Sequence, residues 1–206
     1  MKGLLLKDFF LFIKNIKFYV FALGFFFVLS FLYNDSGFIS GMVVLYFTLF
    51  AVSSFSYDDL AGFDIYARSL PVTRKEIVAS KYLLGLILSF SGGVLSIVFG
   101  LIFNVLKGKS GILKQLLVSY TVICIGLFFL CLILPLIYKF GTEKSRYLMF
   151  IIFLIPTLLF VGLSKMNAGH SLAEILPLLL KLSPAILVVF LVLSFLASCN
   201  IYERKE

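Results

Sequence analysis

Histidine occurs once in this chain, as His170, and cysteine only three times, as Cys124, Cys131 and Cys199. A lone imidazole in a loop gives no basis for an imidazole-dependent metal site. The cysteines all lie inside apolar runs and read as small packing residues, not as disulfides or ligands. Charge is scarce as well. Charged residues make up 14% of the chain, and the stretches long enough to cross a membrane hold no Asp, Glu, Lys or Arg. Carriers driven by their own proton or ion coupling need such buried ionisable groups, so a self-energised transporter is disfavoured. There is no HExxH, no pair of glutamates facing a histidine, no Cys/His set and no Gly-x-Ser-x-Gly. Gly108-Lys109-Ser110 has the ending of a phosphate-binding loop, but Phe103 stands where that motif needs glycine and no strand precedes it. Asn34-Asp35-Ser36 matches the glycosylation acceptor pattern, yet a compact polar turn accounts for it.

What the chain does contain is hydrocarbon. The hydrophobic fraction is 62%, against roughly 45–50% in soluble domains. A soluble protein this apolar could not cover its surface, so the composition indicates an all-α integral membrane protein. A spanning helix needs about 20 mostly apolar residues, so 206 residues allow five to seven spans and no sizeable soluble domain. The net charge of +8 flanks apolar stretches. That is the pattern of anchoring against anionic lipid rather than of nucleic-acid binding.

Residues 1–17 form the first segment, too charged for a cleaved leader. On a helical wheel Leu5, Leu6, Phe9, Phe12, Ile13 and Ile16 share one side, and Lys7, Asp8, Lys14, Asn15 and Lys17 the other. This predicts an amphipathic helix lying in the membrane interface. Six spans are expected, at about 18–33, 38–56, 83–106, 115–138, 147–164 and 184–202, together one transmembrane domain over 1–206. Pro135 is expected to kink the fourth span. The less apolar 165–182 stretch, with Ile175 to Leu180 too short to cross, reads as a re-entrant or interfacial piece before the last span.

Two features stand out. The first is the polar interval Tyr57 to Tyr82, a charged elbow between spans two and three. It carries Asp58, Asp59, Asp64, Arg68, Arg74, Lys75, Glu76 and Lys81. Pro71 forbids a continuous helix through it, and Thr73 followed by Glu76 has capping-box spacing, so a helix should open at about Arg74. The second is a stripe of small residues on the third span: Gly85, Ser89 and Gly93, with Gly92, Ser96 and Gly100. Such a stripe lets helix backbones approach closely in lipid, within the fold or between subunits; a substrate path is the alternative.

With the N-terminus inside, thirteen of the eighteen Lys and Arg fall in the inner segments. The positive-inside rule then places both termini and the elbow in the cytoplasm. A chain of spans with a cytoplasmic elbow and no engine of its own implies energy supplied by a partner.

The segment from Ser69 to Tyr82, Ser-Leu-Pro-Val-Thr-Arg-Lys-Glu-Ile-Val-Ala-Ser-Lys-Tyr, resembles a pattern of ABC-2 type transporter permeases, the membrane subunits of bacterial ABC exporters. The shared positions are Leu70, Pro71, Val72, Arg74, Ile77, Val78, Lys81 and Tyr82, with Thr73 in place of Ser. The amphipathic start, the six spans and the interrupted segment before the last also fit. The closest likeness is to small permeases of peptide and antimicrobial exporters, including those for phenol-soluble modulins. The resemblance implies a multi-pass protein of the bacterial cytoplasmic membrane that binds no cofactor itself. It implies a separate cytoplasmic ABC ATPase carrying ATP and Mg, a second permease subunit, identical or related, and an amphipathic or apolar cargo. It also implies that the elbow is a coupling helix, with Asp58, Asp59, Asp64, Arg68, Arg74 and Glu76 as its docking charges. The alternative from another class is a non-transporting membrane protein, an immunity factor or scaffold.

Overall fold

In a computed structural model the described residues are 2–63, 66–67, 72–108, 111–165 and 169–204. The side chains at 2, 146, 153, 155–157 and 159–180 lie outside that description. Among the described residues every regular element is a helix: α1 (Lys2–Lys14), α2 (Ile16–Tyr33), α3 (Ser36–Leu60), α4 (Arg74–Leu106), α5 (Ile112–Lys165) and α6 (Gly169–Glu203). Among the described residues five stretches are long and apolar enough to cross a membrane: Ile16–Tyr33, Ser36–Leu60, Arg74–Leu106, Ile112–Ser145 and Lys181–Glu203. The protein is an all-helical, multi-pass membrane protein.

Local chemistry sets the helix ends. Asn34 turns the chain from α2 into α3 in the left-handed conformation, at φ 54°, which its short polar side chain tolerates. Asp35 caps α3, accepting a 2.9 Å hydrogen bond from the Gly37 amide. Thr73 caps α4: its side chain accepts from the Glu76 amide, and the Glu76 carboxylate accepts from the Thr73 amide at 2.8 Å. With 33 residues, α4 is about 50 Å long. The bilayer core is only about 30 Å, so the elbow end of α4 projects beyond it.

Two expectations change. The loop expected over 139–146 contracts to one break in α5, at Gly141 (φ 79°, ψ 174°), a backbone region open to glycine alone. That break, rather than Pro135, is where the dihedrals leave the helix. The stretch expected to be 165–182, separate from the last span, instead shares one continuous helix, α6, with it from Gly169 onward. The fifth expected span, 147–164, is the helical end of α5, with most of its side chains outside the description.

The chain divides into two compact units, Met1–Leu130 and Cys131–Glu206. In the first, α3 packs along α4, and α2 lies against this pair through rings. Tyr19 and Phe26 meet Tyr46 at 5.3 and 5.8 Å between centroids. Phe27 meets Phe99 at 5.9 Å and Phe31 meets Phe103 at 5.1 Å. The small-residue stripe of α4 is buried throughout: Gly85, Ser89, Gly92, Gly93, Ser96 and Gly100. A Cβ on Gly92 would sit 2.9 Å from the Phe47 Cβ and 3.4 Å from the Val44 Cα of α3. One on Gly85 or Gly93 would meet only the tips of Leu130 or Ile123, on α5. Thr48 and Ser89 hydroxyls lie 3.3 Å apart across the α3–α4 contact. In the second unit, the Ser194 hydroxyl donates to the Cys131 carbonyl at 2.5 Å, and the Tyr138 and Tyr202 rings meet edge-on at 5.5 Å.

These contacts rank two substitutions. Leu130 can rotate away from a methyl at position 85, whereas the Phe47 Cβ and the α3 backbone cannot leave a methyl at 92 without separating the helices. Gly92→Ala should cost about 1–3 kcal/mol of overpacking and Gly85→Ala less, measured as unfolding by added SDS in detergent.

Candidate functional site

Four charges meet where α1, the end of α3 and the start of α4 converge. The Lys81 ammonium lies 3.0 Å from Asp8 Oδ1, 2.5 Å from Asp58 Oδ2 and 2.6 Å from Ser54 Oγ. An ammonium has three donors, and here each has an acceptor. The Ser54 hydroxyl passes the network on, donating to Asp8 Oδ1 at 2.9 Å. Lys7 pairs with Asp58 Oδ1 and lies 3.6 Å from Asp8 Oδ1. Its ammonium also sits over the Phe63 ring, 3.4 Å from the centroid, a cation–π contact with the residues just beyond α3.

The centre of this cluster is out of water. The Asp8, Lys81 and Asp58 side chains are 1%, 5% and 13% exposed. Two lysines and two aspartates cancel, so the cluster is neutral as a whole. Neutrality matters because an unmatched buried charge costs several kcal/mol. Asp8 Oδ2 has no hydrogen-bond partner, so the carboxylate is held through one oxygen.

This arrangement seats α1 through Lys7 and Asp8, beside Phe12, which packs on the Phe47 and Phe50 rings of α3. Its polar side, at Lys7 and Asp8, faces the ends of α3 and α4. Leu6, Phe9, Phe10 and Ile13 are exposed on the outside. These exposed apolar residues suit a hydrocarbon surround, and the ion cluster supplies Lys7 and Asp8 with the polar contacts that water would otherwise provide.

The residues singled out for docking divide. Asp58 points into the cluster. Asp59 and Arg74 are exposed. Glu76 caps α4 through Thr73. Asp64 and Arg68 lie outside the described residues. Asp8 and Lys81, the most buried members of the cluster, were not among the expected docking charges. A signal for Lys81 was present: it continues the four-residue spacing of Gly85, Ser89 and Gly93, which puts it on the buried stripe. Asp8 gave no comparable signal, since its partners are 46 and 73 residues away in sequence.

The cluster offers electrostatic fastening rather than bond chemistry. Among the described residues no three His, Cys, Asp or Glu side chains group as a metal site. Lys81→Met would leave Lys7 facing two carboxylates, a net buried charge of one. It should destabilise the protein by about 3–5 kcal/mol. Adding Asp8→Asn restores neutrality through the remaining Lys7–Asp58 pair and should recover much of that loss, read by SDS unfolding of the two variants side by side.

A sequence model of the family described as ABC-2 family transporter protein matches residues 3–203. No curated protein and no solved structure matches the chain. The match runs from the start of α1 to the end of α6 and takes in both the ion cluster and the elbow. Its span and the all-helical membrane architecture agree, and the chain therefore belongs to the ABC-2 family of transporter proteins, as a membrane component of a transporter rather than a catalytic subunit.

Proposed function

We propose that this chain is the permease subunit of an ATP-driven exporter, docking a separate cytoplasmic ATPase through the elbow between α3 and α4. Family membership supports the transporter part of this reading. The observation that carries the coupling part is the ion cluster, because it fastens three elements at the elbow. A displacement of the elbow has to move α4 along its whole length, since the capped helix runs from Arg74 to Leu106 without a break. It also has to move α1, through Lys7 and Asp8. A partner that pushed on exposed Asp59 and Arg74 would thus reach the membrane part of the protein through rigid connections.

In this reading six spans cross a bacterial cytoplasmic membrane, with 147–164 as the fifth and both termini in the cytoplasm. Two permease subunits, identical or related, enclose the path, and ATP and Mg bind to the ATPase. The cargo is amphipathic or apolar, of the peptide or antimicrobial kind, in keeping with a chain of 25 Phe and 10 Tyr. The exposed charges Asp59 and Arg74 make the docking surface, with Glu76 shaping it through its cap and Asp64 and Arg68 as further candidates. Asp58 then serves docking indirectly, by holding the elbow in place.

The test is recovery of the ATPase with the gently solubilised chain. The double variant Asp59→Lys/Arg74→Glu should insert normally, yet lose both the co-purifying ATPase and its stimulated hydrolysis at least tenfold. Asp58→Lys should lose stability as well as coupling. If no protein with a phosphate-binding loop accompanies the intact wild-type chain, the exporter reading fails and an immunity or scaffold role takes its place.

A further inference from the structure

The far end of the first unit carries a second polar site. α3 runs from its cap at Asp35 to the ion cluster at Asp58, and 23 residues of helix rise about 34 Å. That distance matches the bilayer core of about 30 Å, so the two sites lie at opposite membrane faces. At this far face, between the α2–α3 turn and the start of α5, is a cavity of about 490 Å³ lined by Asp35, Ser36, Asn104, Lys114, Gln115 and three glycines.

The floor is Gln115, only 1% exposed although it belongs to a membrane-spanning helix. An amide buried at that depth is costly unless it is hydrogen-bonded. Its Nε2 donates to Ser40 Oγ at 2.9 Å and to Ser119 Oγ at 3.4 Å. Both amide protons are thereby used on the protein side, which fixes the orientation of the group. Oε1 is left with one long bond, 3.4 Å from Asn104 Nδ2, and so keeps accepting capacity. The room for this side chain comes from Gly100, where a Cβ would fall 1.9 Å from Gln115 Nε2. Among the described residues the walls add one charge of each sign, Asp35 and Lys114. Asp35 spends one oxygen on the Gly37 amide. No ion pair joins Asp35 to Lys114 among the described residues.

A site with an exposed carboxylate and an exposed ammonium at its rim and spare amide acceptors at its floor complements a ligand that carries both charges. We propose that this cavity binds a small zwitterion, its ammonium held by Asp35 and Gln115 Oε1 and its anionic group by Lys114. Two sources share that chemistry: the ethanolamine phosphate headgroup of a lipid, and a free amino-acid-like or peptide zwitterion. A site of this kind at the far face does not depend on the elbow or on any ATPase.

The full chain in lipid nanodiscs, free of ethanolamine lipid, would be titrated with O-phosphoethanolamine and with glycylglycine. Ligand-observed NMR would read binding, and inorganic phosphate and methylamine would serve as single-charge controls. Saturable binding of at least one zwitterion is expected, at least tenfold tighter than either control. Asp35→Asn, which keeps a helix-capping side chain, and Lys114→Gln should each weaken it at least tenfold while the circular dichroism stays unchanged. Preference for O-phosphoethanolamine alone assigns a lipid headgroup, and binding of both assigns a free zwitterion. The proposal is overturned if neither zwitterion saturates, if a control binds as tightly, or if both variants bind like the wild type.

Discussion

Charge that must leave water at a membrane boundary has to be matched inside the protein, and this one requirement organises the elbow. Lys81 cannot be buried alone. It needs acceptors, and they come from two other helices: Asp8 from α1, Ser54 and Asp58 from α3. The satisfied ammonium therefore acts as a joint. Lys7 adds a fourth charge, which brings the cluster to neutrality and ties in Phe63 beyond the end of α3. Burial of this kind contributes little net stability compared with an apolar substitute, but loss of a single member is costly. What the cluster provides is a tie between α1 and the ends of α3 and α4.

The second constraint is distance between helix backbones. In hydrocarbon, apolar side chains gain little by turning from lipid to protein, so helices associate by close packing and by matching polar groups. α4 does both along one stripe. Gly92 admits the Phe47 Cβ, Gly100 admits the Gln115 side chain, and Ser89 meets Thr48. The same stripe continues downward to Lys81. Close packing in the middle and polar matching at the ends thus lie on one face of one unbroken helix.

The sequence left the ends of α5 and α6 wrongly divided for a physical reason. Lys139, Glu143, Lys144 and Arg146 form a charged run that would ordinarily signal a loop, but charges are compatible with helix and only Gly141 departs from it. The 165–182 stretch read as a separate piece because it is less apolar and Ile175 to Leu180 is too short to cross, yet α6 runs on from Gly169 through both Pro177 and Pro184. Neighbouring groups in a membrane helix can satisfy the freed backbone carbonyl, and local sequence does not report that. The elbow fared better where the signal was local: the start of α4 at Arg74 follows from Thr73 and Glu76, three residues apart.

Composition alone determined that this protein lives in a membrane, because 62% hydrophobic residues cannot be hidden in so small a soluble fold. Short-range pattern determined the amphipathic start, the charged elbow and its capped helix, and the stripe of small residues, since each rests on spacings of three or four along one helix. Only the tertiary structure decided which charges face inward. Asp58 and Asp59 are neighbours in sequence and equal in chemistry, yet one is locked to Lys7 and Lys81 while the other is exposed. The choice depends on helices that arrive from residues 8 and 81, and on the geometry with which they meet. The same holds for Gln115, an unremarked polar residue at a helix start until Gly100 and Ser40 are brought beside it. Long-range pairing of buried polar groups is a property of the packed structure, because a partner tens of residues away leaves no periodic trace in the chain.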